Sequence, residues 1–174
     1  MKLKKIAIIG ASGYTGRELL KILARHKYAK ITHITSESNQ NQPLENLHPE
    51  LKNIYDYNLT FEKYDWKKIK KDTDVVFLCL PHATSLNIAK QMIDDGKIVI
   101  DLSADFRIKD PKIYEKWYKT KHTQKQLLKQ AVYGLPELNR NKIKKTKLLA
   151  NPGCYATSMI LGLYPLLKEN LIDF

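Results

Sequence analysis

Cysteine is scarce in this chain, and its scarcity argues against two kinds of site. The 174 residues include only Cys79 and Cys154. Two cysteines are too few for a disulfide framework, and these two are too far apart for the paired spacing of a zinc site. We therefore predict no disulfide framework and no bound metal, and we expect the protein to work in a reducing environment.

Long apolar runs are also missing. No segment approaches the roughly 20 consecutive apolar residues that a transmembrane helix needs. Residues 1–5 are lysine-rich and lead directly into a short apolar segment, without the longer apolar region of a signal peptide. We therefore expect a soluble, cytoplasmic protein with no membrane partner.

Arginine is scarce as well, although the chain is strongly basic. Only four of the 30 basic residues are arginines, and the net charge is +12. The lysines lie in scattered short clusters, without the combined basic and aromatic pattern of a nucleic-acid module. We expect a lysine-rich surface, no nucleic-acid partner, and a positive field that favours a polyanionic small molecule.

Short apolar segments alternate with helical patterns, which predicts a doubly wound α/β fold of Rossmann type. Because the predicted strands are apolar throughout, we expect a parallel sheet covered by helices on both faces. The strands are predicted at 3–9, 31–35, 74–80, 97–102 and 147–150. Thr84 or Ser85 is expected to cap a helix that ends at Gly96.

The remaining segments carry weaker patterns. Residues 36–56 are predicted as a loop, with a weak strand at 57–61, and 133–139 as a loop with a buried anchor. Residues 111–130 look helical, and their predicted packing stripe consists of Tyr114, Trp117 and Tyr118. The final helix, 156–171, is predicted to turn five apolar side chains inward: Met159, Ile160, Leu163, Leu166 and Leu167. Three of them, Met159, Leu163 and Leu167, are expected to be exposed unless another chain covers them.

Three glycines with the spacing G-x-x-G-x-x-G follow the first strand. Gly10 would allow a tight turn, Gly13 the approach of a pyrophosphate, and Gly16 close packing of the following helix. Their place between a strand and a helix predicts a dinucleotide site with the pyrophosphate at the helix N-terminus. An ordinary strand-to-helix turn is the alternative. The other loop residues assigned to this site are Ser12, Tyr14 and Thr15.

The end of the second strand bears on the choice of cofactor. An NAD site commonly has an acidic residue there, which holds the ribose hydroxyls. Ser36 and Ser38 could donate to the 2′-phosphate of NADP, whereas Glu37 would repel that phosphate if it pointed inward. The sequence favours NADP and leaves open both NAD and a purely structural role in a turn.

Two further segments follow apolar strands and should reach the same crevice. Pro81 and His82 are predicted to contact the nicotinamide half of the cofactor. A role for His82 as a catalytic base or as an ordinary loop residue stays open. Arg107 is predicted to bind an anionic substrate, because its planar fork of donors suits carboxylate or phosphate. A salt bridge to Asp101 or Asp105 is the alternative.

Cys154 is the strongest candidate for catalysis. It follows Pro152 and Gly153 at the point where a short strand ends and a helix begins. Unpaired backbone N–H groups and the helix dipole favour a thiolate there. We predict a nucleophile that forms a covalent thioester, with an inert buried cysteine as the alternative. Cys79, inside an apolar strand, is predicted to be a core residue.

Four motifs together resemble N-acetyl-gamma-glutamyl-phosphate reductase, an enzyme of arginine biosynthesis. They are GASGYTG at 10–16, SADFR at 103–107, YGLPEL at 133–138 and NPGCY at 151–155. The resemblance implies that Cys154 attacks the acyl phosphate of N-acetylglutamyl 5-phosphate, and that NADPH reduces the thioester to the semialdehyde. Ser103, Arg107 and Asn151 are assigned to substrate binding. Aspartate-semialdehyde dehydrogenase shares the architecture without the SADFR and GLPEL motifs.

The resemblance also implies a domain division and a missing group. Residues 1–147 would form the NADP-binding Rossmann domain, and 148–174 the incomplete start of a catalytic and dimerisation domain. In the family that second domain supplies a histidine acid/base and the subunit interface, but no histidine follows Cys154 here. We expect a homo-oligomer of a longer chain, or association with the missing part. The competing hypothesis is a non-catalytic dinucleotide-binding module.

Overall fold

The computed structural model, which describes residues 2–55 and 57–173, is built on one parallel sheet. Within the described residues the sheet has seven strands, in the order β3-β2-β1-β4-β5-β7-β6. The strands are β1 (Lys4–Ile9), β2 (Ala29–Thr35), β3 (Phe61–Glu62), β4 (Val75–Leu78), β5 (Ile98–Asp101), β6 (Val132–Tyr133) and β7 (Leu148–Ala150). The helices are α1 (Tyr14–Ala24), α2 (Leu44–Leu47), α3 (Trp66–Ile69), α4 (Ser85–Asp94), α5 (Pro111–Tyr118), α6 (Lys125–Gln130), α7 (Pro136–Ile143) and α8 (Cys154–Lys168).

The strand order reverses beside β1, which confirms the doubly wound α/β prediction. β1 pairs in parallel with β2 on one side and with β4 on the other. Such a reversal opens a crevice outside the carboxyl ends of the two central strands, where this type of sheet binds its ligands. The glycine loop after β1 and the turn after β4 both lie at this edge, since Cys79 N donates to Ile9 O over 2.8 Å.

Two apolar cores lie on opposite faces of the sheet. On one face α1 packs its Leu20 and Leu23 against β1, β2 and β3. On the other face α3, α4 and α6 cover β1, β4, β5 and β7. The buried residues that α4 contributes are Leu86, Ala89 and Met92.

The predicted coverage of both faces holds only in part. On the α1 side, alternate residues of β4, β5 and β7 are half-buried instead of buried: Val75, Phe77, Ile98, Ile100 and Leu149. Register pairs Phe77 with Ile100 and Ile100 with Leu149, so these side chains share one face. Continuous apolar sequence predicts burial on both sides, but α1 covers only the part of this face near β1 and β2.

Several loop predictions were wrong in detail. The 36–56 region contains α2 and a 3-10 turn, Pro49–Leu51. The weak strand expected at 57–61 is instead β3, Phe61–Glu62. The structure also has α3, which the apolar pattern missed because it is a single turn capped by Asp65.

The 111–143 region is more regular than its sequence indicated. Residues 111–130 form two helices, α5 and α6, in which Tyr114 is fully buried but Trp117 is 71% exposed. Trp117 is therefore not part of a packing stripe. The predicted loop at 133–139 is β6 followed by α7. Its buried anchor is Leu135, as expected.

The final helix does not turn its apolar side chains onto a core of this chain; Met159 and Leu163 are exposed, as expected without a covering chain, and Leu167 is half-buried. None of its residues is buried among those described, and Met159 is 62% and Leu163 40% exposed. β7, just before it, pairs with β5 and β6 inside the sheet, while the domain division at 147/148 stays a prediction. Across the described residues, no helix has both the length and the apolar content needed to cross a membrane.

Candidate active site

The three glycines of the first loop have different surroundings. Gly10 has φ +83°, and a Cβ built on it would lie 2.5 Å from Cys79 O. A Cβ on Gly16 would lie 2.5 Å from Ala11 O. Gly13 is different, because the nearest atom to its added Cβ is 3.9 Å away. The fold itself requires Gly10 and Gly16, whereas the open space beside Gly13 fits an approaching phosphate group.

Two of the longer helices begin without a negative partner. α1 follows Gly13 and α8 follows Gly153, and neither has a side-chain cap or an acidic residue in its first turn. The first N–H groups of such helices attract anions. By contrast, Asp110 caps α5. α1 and α8 are therefore the helix N-termini best suited to a pyrophosphate and to a thiolate or anionic substrate, respectively.

The ends of β1 and β2 bring two of the predicted serines together. The buried Ser36 hydroxyl donates to Ser12 Oγ over 2.8 Å, and Asn39 N donates to Ser36 Oγ over 3.2 Å. Ser38 is exposed and accepts a hydrogen bond from Asn39 Nδ2. The Glu37 side chain is exposed. This edge of the loop is rich in hydroxyl groups. Asn39, which the sequence analysis did not identify, links Ser36 and Ser38 through its hydrogen bonds.

The turn between β4 and α4 carries Pro81 and His82, both exposed. His82 Nδ1 accepts a hydrogen bond from Ala104 N over 3.0 Å, and its ring packs edge-on against Tyr118. The neutral ring therefore carries its proton on Nε2. The expected cap of α4 by Thr84 or Ser85 was wrong, since the Thr84 hydroxyl donates to Pro81 O instead.

Asp105, which lies outside α4, caps the N-terminus of this helix. Its carboxylate accepts from Ala83 N over 2.7 Å and from Ser85 N over 2.9 Å. Tyr114 donates its hydroxyl to the same carboxylate over 2.8 Å. Sequence reasoning considered Asp105 only as a partner of Arg107. The signal available in the sequence was an acidic residue shortly after a predicted strand. The partners of Asp105 lie on other elements, so the sequence did not indicate them.

Asp101 and Ser103 form a second buried polar group at the end of β5. Ser103 donates its backbone N–H and its hydroxyl to the Asp101 carboxylate, at 3.1 and 2.8 Å. The Ser103 hydroxyl also accepts from Asp105 N. Burial raises the pKa of Asp101 to about 6, against the opposing effect of the Ser103 hydrogen bonds. Since the Ser103 hydroxyl is buried and bonded within the protein, its assignment to the substrate stays a prediction.

Arg107 is anchored by backbone carbonyls at the ends of two strands. Its Nε donates to Asn151 O and its Nη2 to Leu102 O, both over 2.7 Å. Within the described residues no carboxylate forms an ion pair with Arg107, so the alternative of a salt bridge to Asp101 or Asp105 is not observed. Arg107 Nη1 lies 3.1 Å from the position of a Cβ added to Gly153, which places the guanidinium beside the start of α8.

The two cysteines lie in opposite environments. Cys154 is exposed and is the first residue of α8. Cys79 packs against the α1-side core, and burial raises the pKa of its thiol to about 12. Cys154 is thus the accessible thiol, at an uncapped helix N-terminus and next to the arginine-bearing segment.

An open groove of about 450 Å³ lies between α1 and the half-buried sheet face of Phe77 and Ile100, and its lining includes residues at the start of α1 and shortly before Cys154. Tyr14 and Thr15, at the start of α1, lie on one wall, and Leu102 and Asn151 lie on another. Tyr14 is highly exposed and carries the Arg17 guanidinium 4.2 Å from its ring centre. The groove thus brings predicted cofactor-binding and substrate-binding residues to one surface. A separate hollow in the 43–60 region contains none of them.

The chain is similar to several known proteins. Residues 5–146 match a family model described as semialdehyde dehydrogenase, NAD binding domain. The chain is 46% identical over 169 residues to the N-acetyl-gamma-glutamyl-phosphate reductase of Halothermothrix orenii, covering 97% of this chain and 48% of the relative. It is 43% identical, with the same coverage, to the LysW-L-2-aminoadipate/LysW-L-glutamate phosphate reductase of Sulfolobus acidocaldarius.

A solved structure supports the same fold. Aspartate semialdehyde dehydrogenase with NADP from Candida albicans superposes with a TM-score of 0.69 at 16% sequence identity. The match covers 97% of this chain and 48% of that one. The chain spans about half the length of the relatives that it matches.

Proposed function

Because this chain belongs to the semialdehyde dehydrogenase family, of which it carries the NAD-binding domain, we propose that it is the cofactor-binding half of an acyl-phosphate reductase. The proposed reaction is the NADPH-dependent reduction of N-acetyl-L-glutamyl 5-phosphate to N-acetyl-L-glutamate 5-semialdehyde, in arginine biosynthesis. One observation carries the proposal: an exposed cysteine opens an uncapped helix beside Arg107, on the strand edge that also bears the glycine loop.

The residues at the glycine loop fit a dinucleotide. The open space beside Gly13 and the uncapped start of α1 suit the pyrophosphate. Ser12, Ser36 and Ser38 offer hydroxyl groups for a 2′-phosphate, and this supports NADP over NAD. When bound, the cofactor supplies the hydride. Comparing the affinities of the chain for NADPH and NADH tests the preference.

Cys154 would divide the reduction into two steps. Its thiolate attacks the acyl-phosphate carbon, a C–S bond forms, and phosphate leaves with the electrons of the broken C–O bond. Transfer of hydride to the resulting thioester carbon gives a thiohemiacetal oxyanion. Its collapse would release the aldehyde and restore the Cys154 thiolate, and the two electrons of the reduction would be those of the hydride that the bound cofactor supplies.

Arg107 and Asn151 would prepare the substrate for this attack. Hydrogen bonds to two backbone carbonyl oxygens hold the Arg107 guanidinium in place. Its Nη1 lies next to Gly153 and could donate to a phosphate or carboxylate oxygen of the substrate. Asn151 fixes Arg107 through its carbonyl and lines the groove. Neutralising charge on the leaving phosphate would make its departure easier.

The experiment that tests this proposal measures acylation instead of turnover. Acylation needs only the Cys154 thiolate and the acyl phosphate, whereas turnover also needs the cofactor and general acid–base help worth roughly 10²–10⁴-fold in rate. We therefore mix the chain with N-acetylglutamyl 5-phosphate in the absence of NADPH. We expect stoichiometric phosphate release and an intact mass increased by one acyl group, with neither effect in Cys154→Ser. Binding of NADPH without acylation would instead support a non-catalytic dinucleotide-binding module.

The Sulfolobus relative favours a second candidate substrate. Its name describes acyl phosphates carried on LysW, and its identity to this chain is close to that of the N-acetyl enzyme. Both names describe a glutamyl phosphate, and the name of the Sulfolobus relative also includes 2-aminoadipate, whose side chain is one methylene longer than that of glutamate. Running the acylation with N-acetylated and with peptide-linked glutamyl phosphate identifies the preferred one.

A further inference from the structure

The starting observation is a buried carboxylate that joins three segments. Asp105 is fully buried. It follows β5, yet its carboxylate binds Ala83 N and Ser85 N of the β4–α4 turn and the hydroxyl of Tyr114 in α5. A buried charge is retained only when hydrogen bonds satisfy it. These three donors therefore tie the position of the turn to that of Asp105.

The turn needs such support. Ala83 has φ +68°, a left-handed conformation that is unfavourable for a residue with a Cβ. Asp105 Oδ1 binds the N–H of this same residue, and Oδ2 binds the first N–H of α4. The carboxylate also meets the positive end of α4. It therefore stabilises a backbone shape that the turn sequence does not favour by itself.

His82 is held from the same side. The residue before Asp105 supplies the Ala104 N–H that His82 Nδ1 accepts. Asp105 is fixed in turn, because its own carbonyl accepts from His122 Nε2 over 2.8 Å. The 103–105 segment thus holds both the backbone of the turn and the ring of His82, whose Nε2–H is left as a donor.

We propose that Asp105 is a positioning residue for the nicotinamide end of the cofactor. It fixes the 81–85 turn so that Pro81 and the Nε2–H of His82 present one defined surface beside the glycine loop. The inference rests on the proposed cofactor binding and assigns the two ends of the cofactor to different segments of the chain. The glycine loop would hold the phosphates, and the Asp105-held turn would order the nicotinamide.

Asp105→Asn tests the proposal. The side chain keeps its shape, but an amide group cannot accept from all three donors, so one N–H or O–H faces another donor. We measure the affinity for NADPH and for 2′,5′-ADP, which lacks the nicotinamide half. We expect NADPH affinity to fall about 10-fold or more, the scale of a lost bond to a charged acceptor, with 2′,5′-ADP affinity unchanged.

Asp110→Asn is the matched control. Asp110 is exposed and caps α5 by accepting from Lys112 N, so the same substitution there should leave both affinities unchanged. Equal weakening of both ligands by Asp105→Asn, or no weakening at all, overturns the proposal. A wild-type chain that binds neither ligand refutes the proposed function instead.

Tyr114→Phe tests the role of Asp105 if the Asp105→Asn variant does not fold. This variant removes one donor from the carboxylate and keeps the charge and the ring packing. A smaller loss of NADPH affinity, again without loss of 2′,5′-ADP affinity, supports the proposal. An unchanged ratio of the two affinities overturns it.

Discussion

Gly10, Gly13 and Gly16 show how identical residues in one motif can have different reasons to be glycine. The first allows a positive φ against Cys79 O, and the third allows α1 to approach Ala11. The second leaves space that no protein atom fills. Spacing alone could not separate a structural glycine from a binding glycine, because the difference lies in what each would-be Cβ meets.

This difference predicts opposite results for two alanine variants. Gly16→Ala should lower the free energy of unfolding by about 1–3 kcal/mol through overpacking. Gly13→Ala should stay within about 1 kcal/mol of wild type but lose most NADPH affinity, because its Cβ enters the phosphate space. Urea unfolding and NADPH fluorescence titration check the pair. A Gly13→Ala variant that binds normally would contradict the assignment of the site.

The two cysteines predict selective labelling. At neutral pH iodoacetamide should modify Cys154, which is exposed, and spare Cys79, which is half-buried and whose thiol pKa is raised by burial to about 12. Peptide mapping by mass spectrometry locates the label. Cys154→Ser should abolish fast labelling and Cys79→Ser should preserve it. Equal labelling of both thiols would show that the core around β4 opens readily.

At the scale of single elements, the important differences lie at the helix N-termini. α1 and α8 begin without an acid, whereas α4 receives the carboxylate of Asp105 and α5 that of Asp110. The sequence predicted where these helices start. It missed the carboxylate on α4, because Asp105 lies 20 residues away along the chain.

Asp101, the last residue of β5, predicts a specific pH dependence. Burial raises its pKa to about 6, against about 4 in an unfolded chain. Between these values the unfolded state holds fewer protons, so the free energy of unfolding falls as pH rises. The ionisation of Asp101 therefore costs no stability below about pH 4, and above about pH 6 it lowers the free energy of unfolding by roughly 2–3 kcal/mol.

Urea unfolding of wild type and Asp101→Asn between pH 4 and 7 isolates this contribution. Other carboxyl groups titrate in both proteins, so the difference between the two curves reports Asp101. We expect the wild type to lose stability relative to the variant as pH rises from 4 to 6. Parallel curves would show that Asp101 ionises as it does in the unfolded chain.

At the scale of the whole molecule, two apolar surfaces are left uncovered. One is the half-buried sheet face of Phe77, Ile100 and Leu149. The other is α8, on which Tyr155 and Met159 are more than half exposed. Surfaces of this kind usually mark contact with another chain or domain. The matched relatives are about twice as long as this chain.

The exposed helix predicts self-association of the isolated chain. We expect light scattering to give a mass above the 20.2 kDa of one chain. Leu163→Lys should shift it towards the monomer, because a charge on the apolar surface opposes burial. Ser158→Lys, which adds the same charge at a polar exposed position of α8, is the control. A monomeric wild type would contradict the prediction.

The sequence by itself determined the alternation of the main strands and helices, the glycine loop and the position of Cys154 at a strand–helix junction. These features depend on local patterns, such as apolar periodicity, turn residues and helix starts, that lie within a few positions of each other. Only the tertiary structure decided what surrounds them. In the structure Arg107 lies next to Gly153 and, among the described residues, not next to an acidic residue. Asp105 binds the turn before α4, and α8 and part of the sheet are exposed. Those outcomes depend on contacts between residues far apart in the chain, which no local pattern encodes.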